Sequence, residues 1–355
     1  MQTPKFTGAT DSFHAELKKR VNQYFHNTSR PVTGSVSLYT KAILLSAGLI
    51  FIYTILVFFT PPPAWALLGC VLLGALTAFI GFNVMHDGAH GSFSRRKGVN
   101  GLAAFSLNIL GGSSFMWNIK HNIIHHAYTN IDGVDDDIDA EPWLRMCASQ
   151  KRYKLHRFQY IYFIFLYGLM YLLWVFVLDY QKYFRGKIGD IPLKTMTLQD
   201  HIIFWGFKVL YAGIFIVLPV YMVGLVPFLI GFGVFTFVAG FILSIVFQLA
   251  HTVEDTHFPV PNADSGKIET EWAVHQIQTT ANFATKNKII CWLLGGLNFQ
   301  IEHHLFPRIS HIHYPAISGI IKQACVEHNL QYVEYPRMTT AIRSHVAFLR
   351  RMGKA

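Results

Sequence analysis

Eighteen histidines occur in the 355 residues, and eight of them fall in a pattern that carries chemistry. His86 and His90 stand four residues apart. His121, His125 and His126 form a second group, and His303 with His304 closes a Gln300-Ile-Glu-His-His run. His251 stands alone at the end of a long apolar stretch. Residues three or four apart share one face of a helix, so each group can converge its imidazoles on a point. His126, next to His125, can reach a second point from the same helix. Eight imidazoles exceed what one metal holds and suit two.

Neutral imidazole binds iron, zinc, copper or nickel, so residue type leaves the metal open. Structural zinc usually takes four ligands, often including Cys, and no cysteine lies in these clusters. The H-E-x-x-H pattern of zinc proteases is absent; Glu302-His303-His304 has another order and spacing. An all-histidine pair of sites at a membrane surface points to oxygen chemistry on a lipid-like substrate. The isolated His14, His26, His156, His201, His328 and His345 read instead as interfacial or hydrogen-bonded residues.

The elements that must carry these groups are apolar. Hydrophobic residues make up 52% of the chain and charged ones 14%, against about 25% charged in soluble domains. Apolar runs occupy roughly 42–60, 64–84, 158–178, 203–223 and 226–250, each close to the about 20 residues that cross roughly 30 Å of hydrocarbon. Pro61, Pro62 and Pro63 separate the first two, and a short stretch at Gly224 and Pro227 the last two, so both pairs read as tight helical hairpins. None of the thirty Lys and Arg residues lies in either turn. By the positive-inside bias both turns face away from the cytoplasm. The run at 158–178 is flanked by nine basic residues over 85–157 and four over 180–200. Positive charge on both sides, together with its many aromatics, predicts an in-plane or re-entrant helix. The expected fold is an all-α integral membrane protein: four transmembrane helices in two hairpins, an interfacial helix and a cytoplasmic helical cap.

Residues 11–27 carry Phe13, Leu17, Val21 and Phe25 at four-residue spacing between basic residues. That suits either an interfacial helix or a surface helix with one packed stripe. Residues 1–40 read as a cytoplasmic or interfacial segment without a signal-peptide pattern, 41–335 as the membrane domain, and 336–355 as a basic cytoplasmic tail. The net charge of +10 fits cytoplasmic loops facing anionic lipid rather than nucleic acid. Cys70, Cys147, Cys291 and Cys325 show no paired spacing.

The phrases Lys-His121-Asn-Ile-Ile-His125-His126-Ala-Tyr-Thr-Asn and Gln300-Ile-Glu-His-His-Leu-Phe-Pro, with the box order and two-hairpin layout, resemble the membrane fatty acid desaturases from about residue 40 to 335. Gln300 at the head of the third box resembles the front-end desaturases, which place a double bond between an existing one and the carboxyl end. The resemblance implies two iron ions held by His86, His90, His121, His125, His126, His251, His303 and His304. It further implies dioxygen, a fatty acyl substrate carried by coenzyme A or a lipid, and two external electrons. No His-Pro-Gly-Gly haem signature occurs, so a separate ferredoxin or cytochrome b5 is the expected donor. In a bacterium the location would be the inner membrane, with the metal site on its cytoplasmic face.

Other positions belong near this site. Gln300 is a candidate weak or water-mediated ligand. His275 is a candidate ligand or hydrogen-bonding neighbour. Asp87 could orient a ligand ring or serve a helix N-terminus. The Asp135, Asp136, Asp137 and Asp139 run could hold a ligand helix, touch a head group or form a solvated loop. His311 and His313 are candidates for the carboxyl end of the substrate. A hydroxylase on the same scaffold stays open. A metal transporter or sensor fits less well, because the spans are almost bare of the mid-membrane charge that transport needs.

Overall fold

The computed structural model describes residues 3–8 and 12–354, and its regular structure is almost all helix, joined by long loops. Five helices are long and apolar enough to cross a membrane: α2 (Val36–Phe59), α3 (Pro63–His90), α6 (Lys154–Arg185), α7 (Leu198–Val223) and α8 (Leu225–His251). The remaining helices make a cap: α1 (Phe13–Thr28), α4 (Lys97–Ile109), α5 (114–128), α9 (Trp272–Thr279), α10 (Lys288–Leu293), α11 (Gln300–Leu305), α12 (Tyr314–Glu327) and α13 (Met338–Lys354). Strands among the described residues are two-residue pairs only.

The helices α3 and α8 form the centre. Half of the most apolar window of α3 is buried, against 11% for α2, so α2 is a peripheral helix facing lipid and α3 a core one. Close packing needs missing side chains. A Cβ on Gly74 would lie 2.6 Å from the Phe235 carbonyl of α8, and one on Gly240 2.5 Å from the Gly168 carbonyl of α6. Both hairpin turns sit at one end, where Leu218–Val223 packs on Ile55–Phe59 and the Tyr53 hydroxyl donates to the Ile214 carbonyl at 2.5 Å. The histidines sit at the other.

Both ends of α6 are tied to the histidine end. Near its start, the Gln159 amide bonds both backbone groups of Arg145 at 2.9 and 3.0 Å. Near its finish, Lys182 pairs with Asp136 at 2.8 Å. Just beyond, Ile188 packs on Ile119 and Ile124 of α5.

Cap helices obey the periodicity read from sequence, and packing decides what their stripes face. Phe13, Leu17, Val21 and Phe25 of α1 are all buried, against Ile317, Ile321 and Ala324 of α12. The Glu271 carboxylate accepts from the first amides of α1, Phe13 at 2.8 Å and His14 at 3.0 Å, completing the N-terminal cap. The stripe is therefore a protein contact and not a lipid-facing one. The segment expected as a basic tail is helical as α13 and docked. Ala341, His345, Phe348 and Leu349 repeat on one face and are buried beside α6.

Candidate metal centre

Each ligand-bearing helix reaches the centre by a local device. His86 and His90 end α3, directly after a π-helical turn at Gly81–Met85. A Cβ on Gly88 between them would meet the Ala103 Cβ and the Ala104 nitrogen at 2.6 Å, so glycine lets α4 pack against the first box. The second box lies on the π-helical turn Asn118–His125, and the His126 amide donates back to the His121 carbonyl. An i→i+5 turn is wider than an α turn and recurs at functional sites. It brings i+4 and i+5 onto one face, so His121, His125 and His126 all point inward. The third box is α11, a short helix clamped by Asn282, whose side-chain oxygen accepts from the Ile301 amide at 3.0 Å. The Asn282 amide in turn donates to buried Glu302 at 2.7 Å. His251 is the last residue of α8.

These elements gather all eight histidines. Ligand atoms of His86, His90, His121 and His303 lie within 4.8 Å of one another, as do those of His125, His251 and His304. His126 stands between the groups. Its Nε2 is 3.2 Å from that of His121, and its ring lies 4.8 Å from His90 and 4.4 Å from His304. A third combination, His121 with His125 and Asp137, is geometrically possible. Asp137 is better read as an orienting group, because it pairs with Lys120 at 2.6 Å and faces the Nδ1 side of His125.

The outer nitrogens are held in place. His125 Nδ1 donates to the Asp135 carboxylate at 3.1 and 3.2 Å. His304 Nδ1 donates to the Gln276 side-chain oxygen at 2.8 Å, and His251 Nδ1 to the Thr279 carbonyl at 3.3 Å. His303 Nδ1 lies 3.1 Å from the Tyr314 hydroxyl. In all four rings Nε2 is buried and has no hydrogen-bond partner, and the same holds for His90 Nε2 and His126 Nδ1. Six orphaned imidazole nitrogens in one buried cluster cost heavily unless something binds them. A pair of cations satisfies them, so the donor set fits a dinuclear metal centre.

Electrostatics agree. Burial, reinforced by neighbouring rings, holds His121, His126, His303 and His304 well below the ordinary imidazole range. Neutral imidazole is the metal-binding form. Burial also disfavours charge on His125, but the Asp135 carboxylate outweighs it and raises that ring instead.

Other sequence candidates fall elsewhere. Asp87 does not orient a ligand ring: its carboxylate accepts from Ser310 Oγ at 2.8 Å and His311 Nδ1 at 3.0 Å, tying α3 to the segment after the third box. That contact places His311 against Asp87, while His313 packs edge-on to Phe25 of α1. His275 is fully buried beside Phe6 with both ring nitrogens unpartnered, and lies in neither ligand group. Gln300 heads α11, buried and hydrogen-bonded through its side chain to no described residue. In the acidic run, Asp135 takes the orienting role, and Asp136 joins Lys120 to Lys182. Gln276, Thr279 and Tyr314 were not legible as site residues. The only available signal was their place near the singled-out His275 and His313.

A groove passes the cluster. One cavity, of about 530 Å³, has His90, His126 and Asn122 in its wall and Trp272 and Arg308 beside them. A second, of about 360 Å³, is walled by Phe105, Phe115, Trp117, Ile203 and Phe204. Both touch Ala89 and Asn118, so they abut there. Trp117 stacks on His121 with ring centres 4.4 Å apart and separates the apolar cavity from the imidazoles.

Comparison with known proteins agrees with this geometry. The family model for fatty acid desaturases matches residues 62–336. The sn-1 linoleoyl-lipid 6-desaturase of Synechocystis sp. is 36% identical over 344 residues, covering 97% of this chain and 96% of the relative. The counterpart of the same name from Arthrospira platensis is 34% identical over 355 residues, covering 99% and 95%. An acyl-lipid (8-3)-desaturase of Physcomitrium patens is 36% identical over 349 residues, covering 97% and 72%.

Proposed function

The chain belongs to the fatty acid desaturase family, and from that premise we propose that it is a front-end enzyme acting at Δ6 or Δ5 on a polyunsaturated acyl chain carried by a lipid or by coenzyme A. The single observation that carries the metal chemistry is the set of orphaned imidazole nitrogens facing one another in two groups. We assign two irons to them, held by His86, His90, His121, His125, His126, His251, His303 and His304. Bound there, the irons supply the activation of dioxygen needed to remove hydrogen from an unactivated methylene. With one dioxygen, two electrons from a separate ferredoxin or cytochrome b5 and two protons, loss of two vicinal hydrogens would leave an alkene and two waters.

The protein's part is positioning. Asp135, Gln276, Thr279 and Tyr314 fix the rings. The groove past Ala89 and Asn118 lays the chain alongside His90 and His126. Trp117 and the surrounding aromatics keep water from the apolar half. Front-end selectivity is supported by the relatives, whose names include linoleoyl-lipid 6-desaturase and Delta(5) fatty acid desaturase.

The membrane arrangement follows the same reading. The helices α2, α3, α7 and α8 cross, and α6, unbroken over 32 residues, lies in the membrane plane without crossing, because both of its ends bind the histidine-bearing cap. The cap then faces the cytoplasm, where the electron donor is.

Expression in a host that lacks front-end enzymes, with linoleate or α-linolenate supplied, tests the activity. A Δ6 or Δ5 product is expected in membrane lipid. Conversion of saturated chains alone would end the front-end reading, and hydroxylated chains would replace desaturation itself.

A further inference from the structure

The wider cavity is lined by Arg308 together with His90 and His126. Arg308 directly follows Pro307 after the third box, so the short stretch from α11 fixes its place relative to His303 and His304. The residue is exposed, and its guanidinium makes no hydrogen bond or ion pair with any described residue. No acidic side chain lines this cavity; its other polar walls are Asn118, Asn122 and the two histidines. Volume is sufficient, because about 530 Å³ sits inside the roughly 300–1,000 Å³ common for small-molecule sites.

The two halves differ in character. The far cavity is mainly apolar, with Phe105, Phe115, Ile203 and Phe204; Asn108, Ser113, Ser114 and Asp200 also line it, and the Asp200 carboxylate is taken up by Thr197. The near one holds an unpaired cation at its opening. A molecule with one long apolar end and one oxygen-rich anionic end fits the groove in a single direction, tail toward Phe204 and head at Arg308. Guanidinium presents a fork of donors that matches phosphate oxygens, and its charge persists at any working pH. The carboxyl carbon of a carried acyl chain is esterified and uncharged, so in a phospholipid or a coenzyme A ester the anion near it is the phosphate of the carrier.

Building on the desaturase reading, we propose that Arg308 is the substrate anchor: it binds the phosphate of the acyl carrier and thereby sets how far from the carboxyl end the chain meets the metals. Two carriers share this chemistry, a glycerophospholipid and acyl-coenzyme A. Counting from a fixed head, rather than from a methyl terminus, is what a front-end enzyme requires.

The test uses the full-length, iron-loaded protein in lipid nanodiscs with an electron donor. Three substrates are compared: linoleoyl phosphatidylglycerol, linoleoyl-coenzyme A and linoleoyl monogalactosyldiacylglycerol, which lacks phosphate. Wild-type turnover of any of them establishes the desaturase reading independently. Arg308→Gln is expected to raise KM for a phosphate-bearing substrate about tenfold, the loss of roughly one charge-assisted hydrogen bond. Its kcat should hold, and the double bond should scatter to neighbouring positions. Arg308→Lys should recover most of the affinity with less of the positional accuracy. An effect on phosphatidylglycerol alone assigns the lipid head group, and one on the coenzyme A ester alone assigns that carrier. Unchanged KM and unchanged double-bond position in Arg308→Gln overturn the proposal, as does a wild-type enzyme that uses only the galactolipid.

Discussion

At the residue scale, the centre depends on more than its ligands. Gln276 is the clearest case, because it accepts from His304 Nδ1 at 2.8 Å and from the Thr129 hydroxyl at 3.0 Å. Removing such a partner typically costs about 10–100-fold in metal affinity. Gln276→Leu should therefore lower bound iron under limiting metal while circular dichroism stays helical, whereas His304→Ala should lose both iron and activity. Full iron occupancy in Gln276→Leu at limiting metal would show that the orienting bond is dispensable. The gathering of the histidines was legible because a helix repeats, so imidazoles four apart announce a shared face. Their orienting partners were not, because Gln276 meets His304 and Tyr314 meets His303 through tertiary folding. Asp87 shows the same limit: its place in the first box left open a ligand ring or a helix N-terminus, and its carboxylate is satisfied by His311 and Ser310, more than 200 positions away.

At the element scale, periodicity located the helices, and packing alone decided what each stripe met. The stripe of α1 suited a membrane surface as well as a protein one until α12 supplied its partner. The second box was read as an α-helix; its π turn is what turns His126 inward, and no residue pattern announced that turn. Docking of α13 carries a pH signature. His345 Nδ1 donates to the Thr252 carbonyl at 2.7 Å, and its Nε2 accepts from the Tyr167 hydroxyl at 2.9 Å, a neutral arrangement. Burial pushes this imidazole down to about 4, from an ordinary value near 6.5. A lowered histidine contributes stability that is complete above about 6.5 and lost as pH falls toward about 4, since the undocked state takes up the proton first. By pH 5 the loss approaches about 2 kcal/mol. Hydrogen exchange should show 338–354 opening more between pH 7 and 5, with a flatter profile in His345→Gln. Protection that does not change over that range in the wild type would remove His345 from the account.

At the scale of the whole molecule, topology is the expectation to test. Single cysteines at Pro62 and Gly224 should react with an impermeant reagent outside intact cells, and one placed near residue 190 should not. Labelling near 190 from outside would mean that α6 crosses, despite the contacts of Gln159 and Lys182 with the histidine-bearing cap. The five apolar runs were legible from length and composition. The course of α6 is not given by length and composition, by which a 32-residue apolar helix is fit to cross; the basic residues on both its flanks and its end contacts are what argue for an in-plane course.

The spread of the ligands along the chain also governs how the protein is made. From His86 to His304 roughly 220 residues must leave the ribosome, which takes roughly ten to forty seconds at typical synthesis rates. Over that interval the first hairpin is inserted, but its imidazoles lack the opposing rings of α8 and α11. Metal capture is therefore a late event in biogenesis that reports a finished chain. Ribosome-stalled intermediates ending before residue 300 should be membrane-bound and iron-free.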